Sequence, residues 1–205
     1  MRARVRRPRS SRLLALLAAF TIALAAFTGS TLADDTGAML SQLMQRLAKR
    51  QHGHATFVEH QFIAILDRPL ESSGELFYDS PDRLEKRTLA PKAESLVLDK
   101  GTLRVRRGAR SYSLDLQDYP QIAPFIDSIR ATLAGDLAAL ESTYALHFDE
   151  GAGGWTLVLV PREAKLAAVI ARIRMTGSQD VISEVTVERA DGDRTVMTIR
   201  EFPDS

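Results

Sequence analysis

The histidines are the first residues whose spacing could support chemistry. His52, His54 and His60 lie close together in the chain, and imidazoles two positions apart on a strand share a face, as ligands of a zinc ion would. However, His52 and His54 fall at the end of a predicted helix, no third ligand has a defined spacing, and no His-Glu-x-x-His pattern occurs. We therefore expect a solvated loop here and no metal site.

Carboxylates and serines give no catalytic pattern either. Asp191-Gly192-Asp193 resembles the start of a calcium loop, but no ligands follow at the required positions, so a hairpin turn is the better interpretation. Glu85 with Glu94, or Asp115 with Asp118, could form acid–base pairs, but chance pairs are expected among 26 acidic residues. The Gly-x-Ser-x-Gly pattern of serine hydrolases is absent. We expect a protein that is not an enzyme and needs no cofactor, and a turnover assay would test the alternative of a lipid hydrolase.

The charge of the chain is unevenly distributed. The formal net charge of the 205 residues is +1, but residues 1–33 contain six arginines and no acid, which leaves 21 basic and 26 acidic side chains elsewhere. We therefore expect no nucleic-acid partner. A later group of arginines is interpreted as a solvated hairpin edge that discourages strand pairing, with a docking patch as the alternative: Arg104, Arg106, Arg107 and Arg110.

Residues 1–33 have the pattern of a secretory signal peptide. The arginines precede an apolar run from Leu13 to Phe27 and small residues ending at Ala33. The run is shorter than the roughly 20 residues that a membrane-spanning helix needs. We expect cleavage between Ala33 and Asp34 and a single periplasmic domain of residues 34–205, with a retained N-terminal anchor as the alternative. Because cysteine is absent, this domain must be held together by packing alone.

The rest of the chain predicts mainly β-structure. A helix starting near Thr36 precedes about eleven short strands, the first of them from about Thr56 to Leu66, joined by turns such as Lys100-Gly101 and Asp191-Gly192. An amphipathic helix interrupts them, with apolar residues at helical spacing: Ile122, Phe125, Ile126, Ile129 and Leu133. We expect a curled antiparallel sheet of about 11 strands that forms an incomplete barrel, with helices covering its concave face. Such an interior could hold an apolar ligand.

Several motifs, in order, resemble the periplasmic lipoprotein carrier family, LolA, and especially its divergent LolA-related branch. Phe57-Val58-Glu59 lies where the carriers typically show Phe-x-Gln, and Gly74-Glu75-Leu76 followed by Ser80-Pro81 resembles their Gly-x-Leu strand running into a proline. Asp99-Lys100-Gly101 is similar to their Asp-Gly hairpin, and a strand from Trp155 to Pro161 also ends in proline as theirs does. The resemblance extends from about residue 36 to about residue 202.

The resemblance implies a soluble periplasmic carrier with a lidded half-barrel. Its cargo would be the acyl chains of lipoproteins or another lipid, its partners an inner-membrane transporter and an outer-membrane acceptor, and its state a monomer. The alternative is an envelope module that has the same fold but carries no acyl cargo and instead binds or senses a protein. We expect the lipid to contact the following residues: Leu76, Tyr78, Leu96, Leu98, Ile122, Phe125, Ile129, Leu133, Trp155, Leu157 and Leu159.

The chain departs from the family pattern around the proline. Carriers usually have an arginine there that bonds the lid, and here the position is Ser80, with Arg83 three residues away. We expect Ser80 and Arg83 to be the candidates for lid contact, although the odd offset directs Arg83 to the other face of a strand. The following stretch, Leu84-Glu85-Lys86-Arg87, is also much more charged than in the carriers, which leaves the identity of the cargo open.

Overall fold

The computed structural model describes residues 31–119 and 123–202. The chain separates into two compact units, residues 1–37 and 38–205, and the sheet, core and cavity described below all belong to the second unit. No helix in the described part of the chain combines the length and the apolar character needed to cross a bilayer.

Short strands joined by tight turns form a single antiparallel sheet. The strands are β1 His52–Phe62, β2 Leu70–Asp79, β3 Arg83–Ala90, β4 Glu94–Asp99, β5 Thr102–Arg107, β6 Arg110–Asp115, β7 Tyr144–Gly151, β8 Gly154–Pro161, β9 Ile170–Ser178, β10 Val181–Arg189 and β11 Arg194–Glu201. Their order in the sheet is β6-β5-β4-β3-β2-β1-β11-β10-β9-β8-β7. Because β6 and β7 each have one neighbour, the sheet is not closed into a barrel, which confirms the predicted fold class.

Most neighbouring strands are also neighbours in sequence. The turns need backbone conformations with positive φ, which Lys100 and Gly101 adopt before β5 and Gly192 adopts before β11. The exception is the central pair, in which β1 lies beside β11 at the opposite end of the chain. The sheet therefore consists of two meanders, β1–β6 and β7–β11, joined where β1 pairs with β11.

Within the described residues, four α-helices and one 3-10 turn accompany the sheet. They are α1 Thr31–Leu47, the 3-10 turn Leu116–Asp118, α2 Ala123–Leu133, α3 Leu137–Thr143 and α4 Ala164–Ala167. Gly135, at a positive φ, ends α2, and the side chain of Asp136 caps α3 by accepting a hydrogen bond of 3.0 Å from Ala139 N. The segment containing α2 and α3 links the two outermost strands of the sheet.

One face of the sheet, the inner face, carries the buried side chains. On β1, Ala55, Phe57 and Glu59 are buried while Thr56 and Val58 between them are exposed, as the two-residue period of a strand requires. The strand register carries this alternation into the neighbours, because Phe57 pairs with Ile199 of β11 and Ala55 with Leu76 of β2.

The solid core lies under the β7–β9 side of the inner face. There α1, α2 and α3 contribute apolar side chains that pack with Leu157, Leu159 and Ile173, all of which are completely buried. Fully enclosed aliphatic and aromatic groups of this kind supply most of the hydrophobic stabilisation of a small domain.

The first strand is displaced from its predicted position. It spans His52–Phe62 and not about Thr56 to Leu66, so His52 and His54 lie on a strand rather than in a loop, and Ile63–Leu66 belong to the β1–β2 turn. Leu66 N donates a hydrogen bond of 2.9 Å to Ile63 O, which closes that turn and leaves Ile65 89% exposed. The predicted strand is too long at its end because Ile63–Leu66 are apolar, and apolar residues in a turn resemble strand residues in the sequence.

Candidate functional site

A cavity of about 600 Å³ separates α2 from the inner face of the central strands. Strands β1, β2, β3, β9, β10 and β11 form one wall, and α2 forms the cover. The aliphatic, aromatic and sulfur side chains that line it are Leu76, Phe77, Tyr78, Leu84, Phe125, Ile129, Leu133, Val169, Ile170, Met175, Ile182, Val185, Val187, Met197 and Ile199. Its volume falls within the roughly 300–1,000 Å³ of pockets that hold small ligands.

Helix α2 presents one apolar stripe to the cavity. Phe125, Ile129 and Leu133 follow each other at intervals of four residues, and all three line the cavity. Ser128 and Thr132 are buried, and their hydroxyl groups donate hydrogen bonds of 2.7 Å to carbonyl oxygens within the helix. The polar groups of α2 are thus satisfied locally, so the stripe can face an apolar ligand.

Tyr144 anchors the start of α2 to the solid core. Its side chain is 1% exposed, and its hydroxyl group donates a hydrogen bond of 2.9 Å to Pro124 O. Burial raises the pKa of the Tyr144 phenol above 10, and the nearby charge of Asp127 raises it further. The hydroxyl group is therefore protonated, and able to donate, throughout the physiological pH range.

Two ion pairs lie on the cavity wall. Arg50 forms an ion pair with Glu201 and donates a hydrogen bond of 3.2 Å to Asp180 O. Farther along the wall, Lys86 Nζ lies 2.7 Å from Glu59 Oε2. The mainly apolar cavity thus contains two pairs of opposite charges, and Glu85, Asp180 and Arg189 are also among its lining residues.

Tyr78 brings a polar atom into the wall without a partner. Its side chain is 6% exposed and lines the cavity, yet its hydroxyl oxygen is buried and has no hydrogen-bond partner among the residues that the structure describes. Such an atom loses its hydration without compensation.

His52, His54 and His60 make separate contacts, and of these three only His54 is among the cavity-lining residues. His52 Nδ1 lies 2.9 Å from Asp79, His60 Nε2 lies 3.3 Å from Glu71, and the His54 ring stacks on Phe77 at 4.4 Å. Within residues 31–119 and 123–202, no three His, Asp or Glu side chains are grouped as a metal site requires. The chemistry that this arrangement supports is the removal of an apolar ligand from water.

Five of the residues that we expected to contact lipid lie together in the cavity lining: Leu76, Tyr78, Phe125, Ile129 and Leu133. Leu76 and Tyr78 lie on the inner face, as their predicted alternation requires, whereas the Phe77 ring packs with His54 and Arg87. Ile122 lies outside the described residues. Lipid contact by these residues stays a prediction.

The other expected contacts lie elsewhere on the sheet. Trp155, Leu157 and Leu159 are at most 2% exposed and belong to the solid core, where Leu157 pairs across the strands with Met175. Their strand, β8, lies on the side of the sheet where the inner face is filled, so these side chains contact other core side chains and not the cavity. Leu96 and Leu98 lie on β4, outside the lining residues.

The two candidates for lid contact bond to other groups. Ser80 N donates a hydrogen bond of 2.8 Å to Gln51 O, and Arg83 pairs with Glu85 at 3.1 Å and with Asp79 at 3.4 Å. Arg83 has the opposite parity on β3 to the cavity-lining Leu84 and is not itself among the lining residues. The described part of α2 is not among the partners of either residue.

Sequence reasoning missed the part of the lining that comes from the last two strands. Val185, Val187, Met197 and Ile199 line the cavity from β10 and β11. Their alternation was visible in the sequence, but β11 reaches the centre of the sheet only by pairing with β1. No local pattern predicts that long-range pairing.

Comparison with protein families gives one match. The family described as "Outer membrane lipoprotein carrier protein LolA-like" matches residues 32–199. The comparison with curated proteins gives no match.

Solved structures with a similar fold are remote in sequence. A LolA superfamily protein from Nitrosomonas europaea is 9% identical, with 83% of this chain and 94% of that chain covered and a TM-score of 0.46. A putative outer membrane lipoprotein-sorting protein domain from Vibrio parahaemolyticus is 10% identical, with 82% and 92% covered and a TM-score of 0.43. The Pseudomonas aeruginosa MucA/MucB complex gives 18% identity, 82% and 59% coverage and a TM-score of 0.44. Likenesses at these identities concern the fold alone.

Proposed function

The chain belongs to the LolA-like outer membrane lipoprotein carrier family, and on that basis we propose that it is a periplasmic carrier that shelters an acyl chain of a lipoprotein or related lipid. The cavity between α2 and the inner face of the sheet is the observation that supports this function. An inner-membrane donor and an outer-membrane acceptor are the partners that such a carrier needs. The proposed secretory signal of residues 1–33 would deliver the domain to the periplasm.

The energetic need for a carrier is large. Each methylene kept from water is worth about 0.8 kcal/mol, so a chain of about fifteen costs roughly 12 kcal/mol to expose. Spontaneous transfer through an aqueous compartment is therefore very slow. A wall of apolar side chains removes most of that cost, and handover to a tighter-binding acceptor needs no cofactor.

A carrier must also release its cargo. Helix α2 covers the cavity and packs against α3, and the cavity itself separates its apolar stripe from the sheet. Movement of α2 would open the cavity at the cost of its own contacts with the solid core, whereas α1, α3 and the strands β7–β9 would still hold the rest of that core together.

The test is lipid binding by the full chain recovered from the periplasm of an expressing bacterium. Native mass spectrometry and lipid extraction should detect an acyl ligand, and Ile129→Asp should reduce its occupancy at least about tenfold because a carboxylate would enter the apolar lining. Ile126→Asp is the matched control, since Ile126 lies on the same helix but is not among the cavity-lining residues. Folded wild-type protein that neither carries nor takes up an acyl ligand would refute the carrier function.

The second candidate is a non-carrier envelope module that binds or senses a protein. The charged pairs Arg50–Glu201 and Glu59–Lys86 on the cavity wall favour it, because a polypeptide segment could use them. In that case a fluorescent fatty-acid probe should bind neither the wild type nor Ile129→Asp, although both proteins are folded.

A further inference from the structure

One carboxylate is buried in the wall of the cavity. Glu59 is 6% exposed and is the only acidic or basic side chain among the buried residues of the described chain. It lies on the inner face of β1 and lines the cavity together with Lys86 of β3. The two residues reach each other across β2, which lies between their strands.

Three donors converge on a single oxygen of this carboxylate. Glu59 Oε2 accepts hydrogen bonds from Lys86 Nζ at 2.7 Å, from Ser72 Oγ at 3.0 Å and from Gln61 Nε2 at 3.3 Å. Within the described residues, no hydrogen bond reaches the second oxygen, Oε1. Lys86 uses one of the three N–H groups of its ammonium for Glu59, and Nζ lies 4.9 Å from the centre of the Phe57 ring.

The pair therefore offers both a free acceptor and free donors in an apolar cavity. It is neutral as a unit, so a ligand with an ionised group would meet one charge of the opposite sign and one of its own sign at short range, and the repulsion would offset the attraction. Like charges placed together in a desolvated site repel each other strongly. A hydroxyl or amide group carries both a donor and an acceptor and satisfies the pair without this cost.

Stability alone is a weak reason for such a pair. Replacing a buried ion pair by well-packed apolar residues is often neutral or stabilising, and other opposite charges in this sheet lie in more exposed positions, such as Arg172 and Glu188 at 2.8 Å.

We propose that Glu59 and Lys86 hold the polar group of the cargo and select an uncharged amphiphile, with a hydroxyl or amide next to its acyl chain, over ionised fatty acids and amines. This inference rests on the proposed function, since it places the acyl chain in the same cavity. It assigns the specificity of the cavity to two residues on β1 and β3 and leaves α2 the role of cover.

The experiment measures selectivity on the full chain. A neutral fluorescent probe, N-phenyl-1-naphthylamine, is bound and then displaced at pH 7 by hexadecan-1-ol, palmitate or hexadecylamine, each below its aggregation concentration. The wild type should prefer the alcohol. Glu59→Gln leaves Lys86 as an uncompensated cation and should shift the ratio of palmitate to alcohol affinity about tenfold towards palmitate. Lys86→Met leaves Glu59 uncompensated and should shift selectivity by a similar factor towards hexadecylamine.

Matched controls separate this role from general charge and folding effects. Glu188→Gln and Arg172→Met remove the two charges of the more exposed pair in the corresponding way and should leave every ratio within about twofold of the wild type. The double variant Glu59→Gln with Lys86→Met has no uncompensated charge. It should keep its fold, checked by thermal melting, and lose the discrimination among the three ligands, so the test does not depend on the single variants being stable.

The outcomes distinguish the two proposals. Unchanged ratios in folded Glu59→Gln, Lys86→Met and double variants overturn the selectivity role, because the pair would then be only structural. A folded wild type that binds neither the probe nor any of the three ligands refutes the carrier function itself.

Discussion

Two buried tyrosines differ in whether their hydroxyl groups have a partner. The Tyr144 hydroxyl group donates to Pro124 O, whereas that of Tyr78 has no partner within the described residues. A hydrogen bond of this kind contributes about 1 kcal/mol, and an unpaired buried polar group costs about as much or more. The two phenols should therefore respond oppositely to the same substitution.

We predict that Tyr78→Phe raises the free energy of unfolding of the ligand-free protein by about 1 kcal/mol. Tyr144→Phe should lower it by about the same amount, since Pro124 O would lose its donor. Urea denaturation of both variants beside the wild type measures the difference. A loss of stability in Tyr78→Phe would mean that its hydroxyl group has a partner after all.

The buried phenol of Tyr144 also makes stability depend on alkaline pH. Its pKa is raised above 10, mainly by burial, so the unfolded chain releases this proton at a lower pH than the folded one. The free energy of unfolding should then be unaffected by this group below about pH 10 and fall as the pH rises towards the raised pKa. Denaturation at pH 8 and at pH 10.5 should show that the cost of Tyr144→Phe shrinks at the higher pH, and an unchanged cost would contradict the assignment.

At the scale of residues, the sequence predicted which side chains are inward but not what they contact. Leu76 and Leu157 both alternate correctly, yet Leu76 lines the cavity and Leu157 lies in the solid core. Alternation depends only on the strand, whereas the contact depends on which helix lies opposite. Both Glu59 and the charged stretch that contains Lys86 are visible in the sequence as departures from the family pattern. Their pairing could not be predicted, because it depends on the register of β1 with β2 and on that of β2 with β3.

At the scale of elements, one glycine fixes the approach of two strands. A Cβ atom at Gly74 of β2 would overlap the backbone of Arg87 and Thr88 of β3, where the register between the strands shifts. Backbone atoms in a sheet cannot move aside as a flexible side chain can. The Gly-x-Leu motif of this strand therefore has a steric basis.

We predict that Gly74→Ala lowers the free energy of unfolding by about 1–3 kcal/mol, the usual range for overpacking. Gly151→Ala is the control: it lies at the end of β7, and a Cβ there would meet nothing within 4 Å. Its effect should stay within about 0.5 kcal/mol. Thermal melting of the two variants provides the measurement, and equal effects would contradict the close contact.

Elements with a strong period were predicted well. The described part of the predicted apolar stripe, residues 123–133, forms α2, and the hairpin at Lys100-Gly101 joins β4 to β5 as expected. Errors concern ends, such as that of β1, since apolar residues in a turn carry the same local signal as those in a strand.

At the scale of the whole molecule, the inner face is filled on one side and hollow on the other. Ile173 of β9 is completely buried in the solid core, whereas Ile199 of β11 lines the cavity. A side chain with few packing neighbours on one side contributes less dispersion and leaves less new void when it is truncated.

We predict that Ile173→Ala costs about 2–5 kcal/mol of unfolding free energy and that Ile199→Ala costs less than half as much. Ile199→Ala should instead weaken binding of a neutral amphiphile, measured by probe displacement. Equal costs for the two isoleucines would show that the cavity is filled by the protein in solution.

The pairing of β1 with β11 has a consequence for biosynthesis. Residues 144 positions apart, Thr56 and Arg200, face each other in this pair, and the cavity wall spans the same seam. A nascent polypeptide can build the β1–β6 meander early, but loop closure over such a distance waits for the final strand to emerge. Until then the unpaired strand edges and apolar faces of the two meanders are exposed to proteases and chaperones. A chain cut short before Arg194 would lack β11 and, with it, the central part of the cavity wall.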